Sequence, residues 1–111
     1  MDKYNVGDVC LFFEGKKNRP IVIVQDGLGL DIDVSIARVT TAEKRNKFDV
    51  IIKDWKQAKL KEPSIVRCSK VNTIKPTKYL IKIGTLSKED AINVVETVKL
   101  YFEESLKKLK S

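Results

Sequence analysis

The hydrophobic spacing of this chain changes period once, near residue 87, and that change limits the folds open to it. Before it, short apolar or alternating runs are interrupted by turn residues; after it, apolar residues recur every three or four positions. Val9-Cys10-Leu11-Phe12-Phe13 follows Gly7-Asp8 and has strand length. Glu14 to Asn18 is a charged turn, and Arg19-Pro20 leads into the β-branched run Ile21-Val22-Ile23-Val24, so these two strands should form a hairpin. A turn at Gln25 to Gly29 precedes an alternating strand from Asp31 to Val39, ended by Thr40 and Thr41. Ala42 to Lys47 reads as a loop and Phe48 to Ile52 as a strand. Lys53 to Lys61 is a helical turn or a solvated excursion with Trp55 as its largest apolar group. Ile65 to Val71 alternates again, Asn72 to Lys78 reads as loop, and Tyr79 to Gly84 is a last short strand. Five or six short strands separated by turns predict a small antiparallel barrel or sandwich over residues 1–86.

The remaining segment predicts one long amphipathic helix over about 88–110, packed on the barrel. Ser87 is a good N-cap with Asp90 three residues on, acidic Glu89 and Asp90 suit the positive end of the helix dipole, and Lys107, Lys108 and Lys110 suit the other end. Its expected core stripe is Ala91, Val95, Val98, Phe102, Leu106 and Leu109, widened by Ile92 and Tyr101. With 111 residues, the chain is expected to be one mainly β domain with a C-terminal helix.

Charge and residue types narrow the function. The net charge is +7, from 22 basic and 15 acidic side chains. Residues 87–111 hold five of each sign, so the whole excess lies in the strand-rich part. A basic body of this kind suits a polyanion, because each phosphate contact releases condensed counterions; it equally suits a lysine-rich surface that favours solubility. There is no histidine, which removes the commonest general base and zinc ligand. Cys10 and Cys68 are distant and form no metal-ligand pair, and Gly27-Leu28-Gly29 lacks the rest of a nucleotide fingerprint. No secretory signal and no apolar run of membrane length is present, so a cytoplasmic protein with reduced thiols and no cofactor is expected. What remains is Arg, Lys, Thr and Ser at strand ends and loops. These suit chemistry on an RNA backbone, where the substrate brings its own nucleophile, the 2′-hydroxyl.

Those residues carry a resemblance. Gly7-Asp8-Val9, followed by Asn18-Arg19-Pro20-Ile21-Val22-Ile23-Val24-Gln25-Asp26, resembles the opening of the PemK/MazF/Kid family of toxin–antitoxin ribonucleases. Ile36-Ala37-Arg38-Val39-Thr40-Thr41 looks like that family's aliphatic-Thr-Ser/Thr strand end, and Pro63-Ser64 through Thr73-Ile74 is similar to its Ser-hydrophobic segment ending in Thr-Ile. Ile83-Gly84-Thr85-Leu86-Ser87 looks like the Gly-x-Leu-Ser that starts its last helix. The four pieces occur in the family's order.

The resemblance implies a small SH3-like antiparallel barrel with a long C-terminal helix, and a homodimeric endoribonuclease toxin that cuts single-stranded mRNA at short motifs without metal and is held by a cognate acidic antitoxin. It implies Arg19 as the catalytic arginine and Thr40 as the catalytic hydroxyl. A guanidinium that donates to two equatorial oxygens can stabilise the charge that builds during attack on phosphorus. Lys16, Lys17, Thr41, Lys44, Arg45 and Lys70 are the candidate RNA-binding residues, being loop or strand-end groups near that pair. Phe12 and Phe13 are expected in the core, and Trp55, among lysines, partly exposed as a contact for RNA or an antitoxin peptide. The chain departs from the family in its short loop before Arg19, in lacking the PemK/Kid histidine, and in Ser69-Lys70, where relatives carry an acid/amide pair. Two other readings stay open: a non-catalytic relative that binds RNA or a protein through the same barrel, and a gyrase poison of the CcdB kind.

Overall fold

The computed structural model describes residues 4–111, at Glu14 the backbone alone. Six strands and one long helix follow in chain order: β1 Asp8–Glu14, β2 Lys17–Gln25, β3 Val34–Thr40, β4 Asp49–Ile51, β5 Ile65–Ile74, β6 Leu80–Thr85 and α1 Lys88–Lys110. All pairings are antiparallel, in the order β4-β5-β3-β2-β1-β6. No pairing among the described residues joins β4 to β6, so the expected barrel is met as an open six-stranded antiparallel sheet. No helix among them is long and apolar enough to cross a membrane.

Both faces of the sheet centre are covered, which explains why Ile21 to Val24 is a continuous apolar run rather than an alternating one. Val22, Val24, Ala37, Val39, Val66 and Cys68 pack with Val94 of α1 on one face. Cys10, Ile21, Ile23, Val34 and Ile36 pack with Tyr4 and Leu80 on the other. The Tyr4 hydroxyl donates to the Leu80 carbonyl at 2.5 Å, closing that second cluster. Phe12 packs against it, as expected.

Two strands run further than local composition suggests. Lys17 to Pro20 is strand, not turn, because Glu14 to Leu11 pairs with it. Likewise Asn72 to Ile74 continues β5, paired with Ile36 to Val34. Between these regions β5 bulges: Ala37 pairs Val71 and Arg38 pairs Arg67, so residues 68 to 70 have no partner on β3, and Cys68 N–H donates to the Phe48 carbonyl instead.

The segment 53–61 forms turns rather than a helix, ending at Lys59 with φ of +65°. Ala58, not Trp55, is its core residue: Ala58 is fully buried, and its carbonyl lies where a Cβ on Gly84 would be. Trp55 is partly exposed, as expected, with one side packed against the helix-side cluster and Lys56 over its ring.

The helix starts as its sequence specifies, with Ser87 Oγ accepting from Asp90 N–H at 3.1 Å. Its rotation differs from the expected stripe. The buried Asp90 carboxylate accepts from Lys53 N–H at 3.1 Å and Asp54 N–H at 2.9 Å, docking the first turn on the 53–61 segment. That contact turns Ala91, Val94, Thr97, Val98 and Tyr101 inward, where Tyr101 meets Phe48 edge to face at 5.1 Å. Ile92, Val95, Phe102, Leu106 and Leu109 point outward. Thr97 is tolerated inside because its hydroxyl donates to the Asn93 carbonyl at 2.7 Å.

Candidate active site

The β2–β3 register decides which polar side chains meet. Ile21 stands opposite Arg38, Val22 opposite Ala37 and Ile23 opposite Ile36; continued outward, the same register sets Arg19 opposite Thr40. Paired residues of antiparallel strands share a face, as do residues two apart. Arg19, Arg38 and Thr40 therefore lie on one side of the sheet, the side of Ile21 and Ile36 and opposite α1.

There they line a cleft of about 410 Å³ with Lys17, Asn18, Pro20, Val39, Thr41 and Ser64. Pro20 costs β2 one backbone donor at the cleft and fixes its own φ there. Thr40 Oγ1 accepts from Ala42 N–H at 3.1 Å, which orients the hydroxyl and leaves its proton for a ligand. Ser64 Oγ donates to the Glu62 carbonyl at 2.8 Å, so its proton is already engaged. Three cations and no acid occur among the described lining residues, a composition matched to an anion.

Of the residues singled out in the sequence, the cleft gathers Arg19, Thr40, Lys17 and Thr41. Lys16 is exposed in the neighbouring turn, and Lys44 and Arg45 are exposed in the loop after β3, none of them lining the cleft. Arg45 N–H donates to Asp49 Oδ2 at 2.7 Å, a structural contact. Lys70 is exposed on the bulge of β5, also outside the cleft. The sequence reading missed Asn18, Arg38 and Ser64. Arg38 was within reach of it, because a residue two before Thr40 in an alternating strand must share its face; Ser64 required knowing that Thr40 pairs with Ile65.

The two cysteines are buried and unpaired, Cys10 in one core cluster and Cys68 in the other. Burial pushes both thiols up to about 12, helped by Asp8 near Cys10 and Asp49 near Cys68, so neither is a nucleophile.

The family described as PemK-like, MazF-like toxin of type II toxin-antitoxin system matches residues 13–102. No curated protein matches the chain. Among solved structures, a chain of an endoribonuclease in complex with its cognate antitoxin, from a mycobacterial species, superposes with a TM-score of 0.72 at 16% identity, covering 90% of this chain and 95% of that one. A chain of the MazE–MazF complex of Deinococcus radiodurans gives 0.71 at 11% identity, with 86% and 90% covered. The Mycobacterium tuberculosis toxin MazF-mt6 gives 0.66 at 24% identity, with 86% and 96% covered. At these identities the likeness is one of fold.

Proposed function

The chain belongs to the PemK-like, MazF-like toxin family of type II toxin-antitoxin systems, and on that footing we propose that it is a cytoplasmic endoribonuclease toxin. It cuts single-stranded mRNA at short sequence motifs without a metal, leaving 2′,3′-cyclic phosphate and 5′-hydroxyl ends. The observation that carries this reading is the convergence of Arg19 and Thr40 on one cationic cleft. Attack of the 2′-oxygen on phosphorus builds charge on the non-bridging oxygens, and the planar fork of Arg19 matches two of them. The Thr40 proton, left unused by its contact with Ala42, holds the phosphate or the 2′-hydroxyl. Lys17 and Thr41 hold the flanking backbone; Lys16, Lys44, Arg45 and Lys70 extend the basic surface.

The toxin acts as a homodimer that associates through the outward apolar row of α1, which borders a groove lined by Val24, Val71 and Phe102. Its antitoxin supplies an acidic segment that lies over the cleft, placing carboxylates where RNA places phosphates.

Incubation of the protein with a long unstructured RNA in EDTA tests the reading. Cuts that end in cyclic phosphate, and that disappear in Arg19→Ala and Thr40→Val with the far-UV circular dichroism spectrum unchanged, are expected. Intact RNA, or cleavage retained by Arg19→Ala, overturns it.

A further inference from the structure

The cleft holds a second guanidinium whose place in the sheet gives it work. Arg38 precedes Thr40 by two residues and stands opposite Ile21, so it shares a face with both members of the proposed pair. In the continued register Arg19 and Arg38 are diagonal neighbours, roughly 7–8 Å apart at the backbone, a distance that two arginine side chains span. On its other side Arg38 stands opposite Arg67. Like charges directly opposite one another are unfavourable, and in this pair one guanidinium is neutralised from the next strand. Arg67 Nη1 donates to Asp49 Oδ2 at 2.6 Å, with the arginine side chain 11% exposed and the carboxylate fully buried. Arg67 does not line the cleft; Arg38 does.

We infer that Arg38 is a second phosphate-binding guanidinium and that it and Arg19 grip the same scissile phosphodiester. This rests on the reading that the cleft takes an RNA phosphate. In the reaction the 2′-oxygen bonds to phosphorus and its proton passes to solvent, while the bond from phosphorus to the 5′-oxygen breaks and that oxygen takes a proton from solvent. The diester begins with one negative charge and approaches two as the new bond forms, so a second fixed cation favours the transition state over the bound substrate. A chain without histidine gains from this, since charge stabilisation replaces part of what an imidazole would contribute by proton transfer.

The test uses two substrates: a short cleavable RNA, and the same oligonucleotide with a 2′-deoxy residue at the cleaved position, which binds but cannot react. In single-turnover assays Arg38→Ala should cut about 100-fold more slowly, while its affinity for the 2′-deoxy oligonucleotide, by fluorescence anisotropy, falls by a clearly smaller factor. Arg38→Lys should recover part of the rate, because it restores the charge without the fork. Urea midpoints for both variants verify folding. Wild-type cleavage by Arg38→Ala, with Arg19→Ala inactive, overturns the inference and leaves the proposed function standing. If the unaltered protein binds the 2′-deoxy oligonucleotide but cuts no RNA, the proposed function fails instead; weaker binding by Arg38→Ala then still supports a phosphate contact, and unchanged binding overturns it.

Discussion

Arg67 and Asp49 face each other across β5 and β4 and form a sealed ion pair, with Nη1 to Oδ2 at 2.6 Å and the carboxylate fully buried. The same Oδ2 accepts from Arg45 N–H at 2.7 Å, so one carboxylate ties a strand, its neighbour and the loop after β3. Asp49→Ala strands a nearly buried guanidinium and is expected to cost about 3 kcal/mol or more. Urea denaturation measures it, and a loss below about 1 kcal/mol would make the pair equivalent to a surface one.

Gly84 is required by close approach, not by its φ. A Cβ there would overlap the carbonyl oxygen of Ala58, and backbone cannot rotate aside as a side chain can. Gly84→Ala should destabilise by about 1–3 kcal/mol, read as a lower urea midpoint with RNA cleavage retained below the transition. An unchanged midpoint would mean that the 53–61 segment yields without penalty.

Legibility in the sequence followed how local each determinant is. The boundaries of α1 were readable because Ser87, Asp90 and the terminal lysines are signals within one or two turns. Its rotation was not, because two apolar rows overlap on this helix and the choice between them falls to the Asp90 carboxylate meeting Lys53 and Asp54, residues more than thirty positions away. Arg19 and Thr40 were legible only through the family pattern; their sharing of a cleft depends on the β2–β3 register. Arg38, two residues before Thr40 on the same face of an alternating strand, could have been read with it and was passed over because an arginine there is ordinarily a solvated residue.

The outward row of α1 makes self-association testable. Phe102 is 55% exposed between Val95 and Leu106 in that row. Phe102→Glu places a charge there and gives up the ring's edge contact with Tyr101 at 5.5 Å, so the proposed dimer should sediment as a monomer that still unfolds cooperatively in urea. A variant that stays dimeric moves the interface elsewhere.

Alkaline pH should loosen the fold through its thiols. Cys10 and Cys68 are raised from 9.0 to about 12 by burial first, then by Asp8 and Asp49 respectively. Their stabilising contribution is complete below pH 9, where both states keep the proton. Between about 9 and 12 the unfolded chain has released protons that the folded one retains, so stability falls as pH rises, by about 1.4 kcal/mol per unit for each thiol. Urea midpoints at pH 7, 8 and 10.5 should show a plateau and then a drop. Cys68→Ala should start lower and drop less steeply; an equal slope would assign the alkaline loss to other groups.

The last expectation concerns the pH dependence of cleavage. A bell-shaped profile between pH 5 and 8 ordinarily reports an imidazole that must be neutral in one step and protonated in another. This chain has no histidine, and the described residues that line its cleft include no carboxylic acid. The 2′-hydroxyl proton then leaves with help from solvent hydroxide or from a group already deprotonated at pH 6. In either case raising the pH does not remove a required proton. Single-turnover rates in a constant-ionic-strength buffer should therefore rise or level off from pH 6 to 8.5, a range below the thiol-linked loss of stability. A descending limb within that range would require an acid that the cleft does not contain, and would place proton donation to the 5′-oxygen on a residue outside Arg19, Arg38 and Thr40.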